Sequence, residues 1–301
     1  MSIFYDNTSV PLHEFTARVK TVAWKGRINR TSPMYFKEFE STLRKGLTFC
    51  LPCDSLPRPV NVLETEHHLK LINKQREYFT EFATGMKSQM HLSKSAELEY
   101  DFFKTRTYDF LVYLGKFQEI RATCPCKEIQ YTNLFMEFSK IFALKPEVGE
   151  IRERRIRIGS QTVVCIPDVR FLRYPQIADH SLLVMHTEVN LIKPSDDQEE
   201  TFDIHKLTTQ TLGLHGGELL AERKFSIFKP GVLGIICLRT KLIFTFMEMT
   251  EDHYNCIERG RSCDEHHAKI IYTKPYDYLN EEEREEMYSL LFWLGYLQQC
   301  T

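Results

Sequence analysis

The sequence lacks a dominant charge. Its 301 residues contain 39 Lys and Arg against 41 Asp and Glu, which gives a formal net charge of −2. A protein drawn to nucleic acid by a global positive field has a clear excess of Lys and Arg, so that mode of binding is excluded. Any contact with nucleic acid must come from a local basic patch.

Long apolar runs are also missing. No stretch approaches the roughly eighteen consecutive apolar residues of a membrane-spanning helix. Residues 1–15 have neither the charged region nor the apolar region of a secretory signal. These absences predict a soluble, intracellular protein with no membrane partner. With 43% hydrophobic residues, the chain is still able to fill a large core.

Cysteines are frequent, but their number is odd. Nine cysteines without a secretory signal favour reduced thiols over disulfides. A structural zinc would need two close Cys or His pairs to meet in space. The spacings are poor for a zinc finger, and zinc stays open only for three groups: Cys50 with Cys53, Cys124 with Cys126, and Cys263 with His266 and His267.

The hydrophobic pattern changes near Pro146. Before it, apolar residues recur every three or four positions, most clearly over residues 63–90 and 95–120, and this spacing is typical of amphipathic helices. After it, short β-type runs dominate. We therefore predict a mostly helical region at residues 1–145 and an α/β region at residues 146–301 that ends in a helix.

The α/β region contains a series of apolar runs. Runs at residues 154–158, 161–171 and 181–190 predict strands, residues 203–225 predict a helix kinked at Gly216–Gly217, and residues 231–249 predict two further strands. Residues 163–166 have no polar face, which predicts a strand covered on both sides. The order of strands, helix and strands predicts an α/β fold with a mixed central sheet.

An acidic residue follows or ends each of two neighbouring apolar runs. Asp168 comes after Pro167, and Glu188 stands near the end of the next run. Side chains two apart on a strand share a face, so Glu188 and Asn190 point the same way. If the strands are adjacent, the two carboxylates converge, and such oxygen ligands suit Mg²⁺ or Mn²⁺.

This pattern resembles the PD-(D/E)XK phosphodiesterase superfamily over roughly residues 146–249. Pro167–Asp168 corresponds to the PD element and residues 188–190 to (D/E)XK. The resemblance implies a sheet of restriction-endonuclease-like type and metal-dependent cleavage of a phosphodiester. It also implies a set of metal ligands: Asp168, Glu188, the Val189 carbonyl, and Glu150 or Glu147.

The chain departs from the superfamily at its lysine, because Asn190 stands there. Lysine would orient the attacking water and stabilise developing negative charge, whereas asparagine keeps a hydrogen bond without the charge. Lys206 and Gln210 lie four residues apart on the predicted helix and so share a face. They are the candidates to replace the missing cation. In the alternative interpretation they are solvated helix positions.

Two short basic stretches are candidates for contact with DNA or RNA. Arg155 and Arg157 share a face of a predicted strand, and Lys25 and Arg27 lie beside Trp24, which could stack on a base. Both stretches are also compatible with ordinary solvated surfaces.

Three functions remain open at this level. The first is a degenerate nuclease-fold protein that binds nucleic acid or protein, the second an active Mg²⁺- or Mn²⁺-dependent nuclease with a migrated lysine. The third is a protein-interaction scaffold whose carboxylates are incidental, since an Asp after Pro is often a turn residue. Asn190 favours the first.

Overall fold

The structure of the protein, a computed structural model, describes residues 5–25, 35–51, 61–148, 153–173, 180–189, 204, 207–261 and 268–299. Within these residues the helices are α1 (Leu12–Lys25), α2 (Tyr35–Gly46), α3 (Val62–Gln89), α4 (Lys94–Thr123), α5 (Glu128–Lys140), α6 (Thr209–Glu222), α7 (Glu251–Glu258) and α8 (Glu281–Gln299). The strands are β1 (Tyr5–Ser9), β2 (Pro146–Val148), β3 (Arg154–Ile158), β4 (Gln161–Cys165), β5 (Val169–Leu172), β6 (Ser181–Glu188), β7 (Gly231–Leu238), β8 (Lys241–Glu248), β9 (Ala268–Tyr272) and β10 (Tyr276–Asp277).

The chain divides into two compact units. One contains residues 1–30, 146–276 and 298–301, and the other contains residues 31–145 and 277–297. One segment boundary falls at Pro146. Residues 1–30 group with the sheet and most of α8 groups with the helices, so the two units are not the continuous ranges 1–145 and 146–301.

The first unit is built on a mixed eight-stranded sheet. Its strands follow the order β1-β9-β8-β7-β6-β5-β2, and β10 pairs with β8 off this path. β6 runs parallel to β7 but antiparallel to β5, and β2 is antiparallel to β5. The two-residue turn Arg239–Thr240 joins β7 to β8, and both strands are almost wholly buried. The predicted α/β class with a mixed sheet is confirmed.

The predicted strand at residues 161–171 is wrong in one respect, because it divides at Pro167. Proline has no N–H for a strand ladder, and the chain leaves one sheet there and enters another. β4 pairs only with β3, in a separate hairpin, while β5 joins the main sheet. Val163, Val164 and Ile166 are 37–47% exposed, so β4 is not covered on both sides.

Helix α6 crosses over from β6 to the parallel strand β7 and packs on both. Thr208 caps its first turn, since the hydroxyl accepts a hydrogen bond from Thr211 N at 3.1 Å. The predicted kink at Gly216–Gly217 is wrong, because the helix is continuous through both residues. A Cβ at Gly217 would lie 3.5 Å from Cys165 Sγ, which is an ordinary van der Waals distance, so the packing of α6 on β4 does not require glycine there.

A buried carboxylate ties α6 to two other elements. Glu222, at the end of the helix, is fully buried. Its Oε1 accepts a hydrogen bond from Arg170 Nε of β5 at 2.7 Å and lies 3.4 Å from Arg154 Nε of β3. The Arg154 guanidinium also stacks 3.7 Å from the centre of the Phe225 ring. These ionic contacts fix β5 and the β3–β4 hairpin against the helix.

The second unit is helical and has an aromatic core. Phe39 stacks on Phe103 with ring centres 4.9 Å apart, and Lys87 joins α3 to Asp101 of α4 at 2.7 Å. Asn280 caps α8, since its Oδ1 accepts a hydrogen bond from Glu283 N at 3.1 Å. No helix among the described residues is long and apolar enough to cross a membrane.

The closest packing of α6 on the sheet predicts a stability effect at Gly234 of β7. A Cβ there would lie 2.7 Å from His215 Cε1 and 2.8 Å from Thr245 Oγ1. We expect Gly234→Ala to lower the free energy of unfolding by about 1–3 kcal/mol through overpacking. Urea denaturation measures this. Gly213→Ala is the control, because Gly213 of α6 has nothing within 4 Å of an added Cβ and should be neutral or stabilising. Equal losses in both variants would contradict the packing argument.

Candidate functional site

The carboxylate cluster is the group of polar side chains formed by Asp168, His186, Glu188, His215 and Glu218. Asp168 lies at the edge of this cluster, immediately before β5. The register pairs Val169 with Met185 of β6, so Asp168 stands opposite His186. Its Oδ2 accepts a hydrogen bond from Thr187 N at 2.6 Å. Burial raises the pKa of Asp168, and the hydrogen bond from Thr187 and the charge of His186 act against this shift.

Glu188 ends β6 on the same face of the strand as His186, because the two residues are two apart. Its Oε1 accepts a hydrogen bond from Val189 N, and its Oε2 accepts one from the Thr211 hydroxyl of α6, both at 2.9 Å. Asp168, immediately before β5, and Glu188, at the end of β6, therefore both lie near His186. That the two carboxylates converge on a shared metal ion stays a prediction.

His186 is the residue at the centre of the cluster, and the sequence analysis missed it. Its Nδ1 lies 3.3 Å from Glu218 Oε1 and 3.7 Å from Asp168 Oδ2, and its side chain is only 12% exposed. Burial by itself lowers the pKa of His186. The hydrogen bond to Glu218 and the charges of Glu218, Asp168 and Glu188 outweigh burial and raise it. The protonated imidazolium is thus stabilised.

The cluster continues inward through α6. Glu218 is 5% exposed, and its Oε2 lies 3.6 Å from His215 Nδ1. His215 Nε2 is 2.8 Å from the hydroxyl of Thr245 in β8. Burial lowers the pKa of His215, whereas the pKa of Glu218 is lowered by its two histidine partners against the effect of burial. We infer a neutral His215 beneath an ionic His186–Glu218 pair.

Arg239, in the turn after β7, contacts the backbone at the end of β6, next to the predicted metal ligands Glu188 and Val189. Its Nε donates to the Val189 carbonyl at 3.1 Å, and its backbone N–H donates to the Glu188 carbonyl at 3.1 Å. The residue is buried and has a positive φ of 58° in the β7–β8 turn. A guanidinium therefore meets the carbonyl that the superfamily resemblance assigns to a metal.

Several predicted site residues lie outside the described part of the chain: Glu150, Asn190, Lys206 and Arg27. The side chain of Lys25 is likewise not described, although its backbone ends α1. Gln210 is exposed in the first turn of α6, and the neighbouring Thr211 is the residue that contacts Glu188. Glu147 is half-buried in β2, across from Arg170.

The described oxygen and nitrogen donors near Asp168 and Glu188 are a poor match for a metal ion. In the described ranges, no three or more His, Cys, Asp or Glu side chains are arranged as a metal centre. Both Glu188 oxygens already accept hydrogen bonds, and His186 and Arg239 bring positive charge beside the remaining donors. The described residues therefore do not fit a hard divalent cation.

The proposed zinc groups can be followed only in part. Cys53, Cys263, His266 and His267 lie outside the described residues. Cys50 and Cys124 are exposed free thiols, and burial raises the pKa of Cys126 to about 11. Such a thiol is a poor source of the thiolate that zinc requires.

Arg155 and Arg157 lie on the exposed face of β3, as the alternation predicts. The guanidinium of Arg155 is paired with Glu153. Arg157 Nε instead donates to the carbonyl of Gly159 at 2.8 Å. The charge of Arg155 is therefore paired with a carboxylate, whereas the partner of Arg157 is an uncharged carbonyl, although the two arginines share a face.

Comparison with known proteins adds no relative. No family model matches the chain, and no curated protein or solved structure matches it. Function must therefore be argued from the cluster itself.

The raised pKa of His186 predicts a pH-dependent contribution to stability. A histidine with a raised folded pKa stabilises the fold fully below its unfolded value of about 6.5 and loses this effect as pH rises through the folded value. We expect the free energy of unfolding of the wild type to be about 1.5–3 kcal/mol higher than that of His186→Asn near pH 6, which is the range for hydrogen bonds to charged groups. At pH 8.5 the difference should be smaller. Urea denaturation across this range measures the difference.

The matched control is His91→Asn, because His91 is an exposed histidine in the other unit. Its stability should follow the wild type at every pH. A gap between wild type and His186→Asn that stays constant from pH 5.5 to 8.5 would contradict a protonated His186.

Proposed function

We propose that this protein is a PD-(D/E)XK-like nuclease-fold protein that has lost metal-dependent cleavage and acts as a binding module for nucleic acid or protein. The architecture supports the resemblance. β2, β5 and β6 form an antiparallel run, α6 crosses over, and β7 returns parallel to β6. Asp168 immediately precedes β5 and Glu188 ends the adjacent β6, in the order of the PD and (D/E)XK elements.

The observation that carries the loss of catalysis is the position of His186. His186 Nδ1 lies 3.3 Å from Glu218 Oε1 and 3.7 Å from Asp168 Oδ2, and the raised pKa of His186 favours an imidazolium there. A metal would have to displace this proton and the hydrogen bonds to Glu188, and it would have to compensate its own dehydration. His186 thus competes with a metal ion for these carboxylates.

Asn190 adds a second reason, drawn from the sequence. A preorganised donor aimed at developing charge contributes about a hundred- to a thousandfold in rate. Asparagine retains a hydrogen bond but carries no charge. Arg239 is cationic but is bound to the Val189 carbonyl, so it does not replace the missing lysine.

An active Mg²⁺- or Mn²⁺-dependent nuclease is the second candidate. The shared face of Asp168 and Glu188 favours it. Lys206 would then be the migrated cation. This candidate requires His186 to lose its proton and the Glu188 hydrogen bonds to open, and it therefore ranks below the degenerate form.

Metal titration and cleavage assays separate the two candidates. We expect the wild type at pH 7 to show no Mn²⁺ binding by calorimetry and no metal-dependent cleavage of labelled DNA or RNA, single- or double-stranded, above the level of Asp168→Ala. Replacing the internal cation should open the carboxylates, so His186→Ser should bind Mn²⁺. Adding Asp168→Ala to His186→Ser should abolish that binding.

Wild-type cleavage with Mn²⁺ that Glu188→Ala abolishes would overturn the loss of catalysis and favour the active nuclease. Thermal unfolding of each variant checks that it is folded before its activity is compared. Asn190→Lys in the His186→Ser background then tests whether the missing charge limits cleavage.

A further inference from the structure

Three exposed arginines of the first unit lie on two backbone segments that contact each other. Arg157 lies at the end of β3, and Arg259 and Arg261 follow the last turn of α7. We call these three residues the arginine patch. The sequence separates Arg157 from the other two, so periodicity and spacing gave no sign of the group.

Two glycines bring the segments together. A Cβ at Gly260 would lie 2.7 Å from Gly159 Cα, and a Cβ at Gly159 would lie 3.2 Å from Gly260 Cα. Both residues have positive φ, 61° and 65°, which glycine adopts without strain. Gly159 N also donates to the carbonyl of Glu258 at 3.1 Å. The hairpin turn is therefore held against the end of α7.

The backbone positions on both sides of this contact are fixed by hydrogen bonds. Arg157 Nε donates to Gly159 O at 2.8 Å, which places its guanidinium beside the turn. Arg259 N donates to Asn255 O at 3.1 Å and Arg261 N to Cys256 O at 2.9 Å. All three arginines thus start within two residues of the glycine contact.

Within the described residues, the three arginines of the patch are not paired with acidic neighbours. In the part of the chain that the structure describes, no ion pair joins Arg157, Arg259 or Arg261 to a carboxylate. The nearest glutamate in sequence, Glu258, is paired with Lys224 Nζ at 2.6 Å. The patch is a local positive surface on a chain whose formal net charge is −2.

We propose that the arginine patch binds the phosphate backbone of nucleic acid. The identification of the partner as nucleic acid rests on the proposed function, whereas the patch itself rests on the geometry. Exposed guanidinium groups form bidentate hydrogen bonds with phosphate, and cations on two separate segments suit the regular charges of a backbone. Uncharged Thr162 and Val164 lie across from Arg157 and Arg155 on the hairpin. Such contacts position a strand without reading its sequence.

The test measures binding of the full-length protein to labelled single- and double-stranded DNA and RNA by fluorescence anisotropy, over about 50–200 mM NaCl. We expect each of Arg157→Gln, Arg259→Gln and Arg261→Gln to weaken binding equally for all base sequences. Each should reduce the slope of log affinity against log salt by about 0.7–0.9. The triple variant should bind about tenfold more weakly or worse.

Lys70→Gln is the control, because Lys70 is an exposed cation of α3 in the other unit. It should bind like the wild type. Failure of the wild type to bind any of the probes, or a triple variant with unchanged affinity and slope, would overturn the proposal. An equal effect of Lys70→Gln would also overturn it, since the loss would then reflect overall charge.

Competition with a phosphopeptide distinguishes the other phosphate source. Displacement of the nucleic acid by the peptide at lower concentration than by unlabelled oligonucleotide would assign the patch to a phosphoprotein and overturn the proposal. The proposed function fails separately: wild-type cleavage that depends on Asp168 and Glu188 would refute the loss of catalysis and leave the binding result unchanged.

Discussion

The buried carboxylate of Glu222 is the interaction on which the rest of the first unit depends. It holds Arg170 of β5 and Arg154 of β3 at the end of α6, so one charge joins three elements that are distant in sequence. Removing one partner of such a buried group typically costs about 3–5 kcal/mol, because the other charge remains uncompensated. Asp168 is only two residues from Arg170. The carboxylate cluster therefore takes its place from this ionic contact.

The cluster itself has an outer and an inner part with different electrostatics. At the outer part, Asp168 and Glu188 lie near His186, whose raised pKa favours the protonated form. At the inner part, His215 is neutral and bonded to Thr245 in the core. Glu218 links the two. A buried polar chain of this kind is costly unless each member has a polar partner. Glu218 and His215 are partners of each other on a face of α6 that also buries leucines.

The sequence predicted the features that depend on local periodicity. Asp168 lies between β4 and β5 and does not end a strand as expected, whereas the alternation along β6 put Glu188 on a definite face. The same rule would have pointed to His186, two residues earlier, had its imidazole been considered beside the acids. Local periodicity could not predict the roles of Glu218 and Arg239, because the crossover helix α6 and the turn after β7 bring them to the cluster from distant parts of the sequence.

Two errors came from patterns that have more than one structural solution. An all-apolar run is compatible with a covered strand and with an exposed hairpin arm, and Pro167 decides in favour of the arm at β4. Consecutive glycines suggest a break, yet α6 packs on β6, β7 and β4 and stays helical through Gly216 and Gly217. The β3–β4 hairpin is held at its base by Arg154 and at its turn by Gly260. An arm fastened at both ends has little freedom to lose when a partner docks, so little conformational entropy opposes association at its tip.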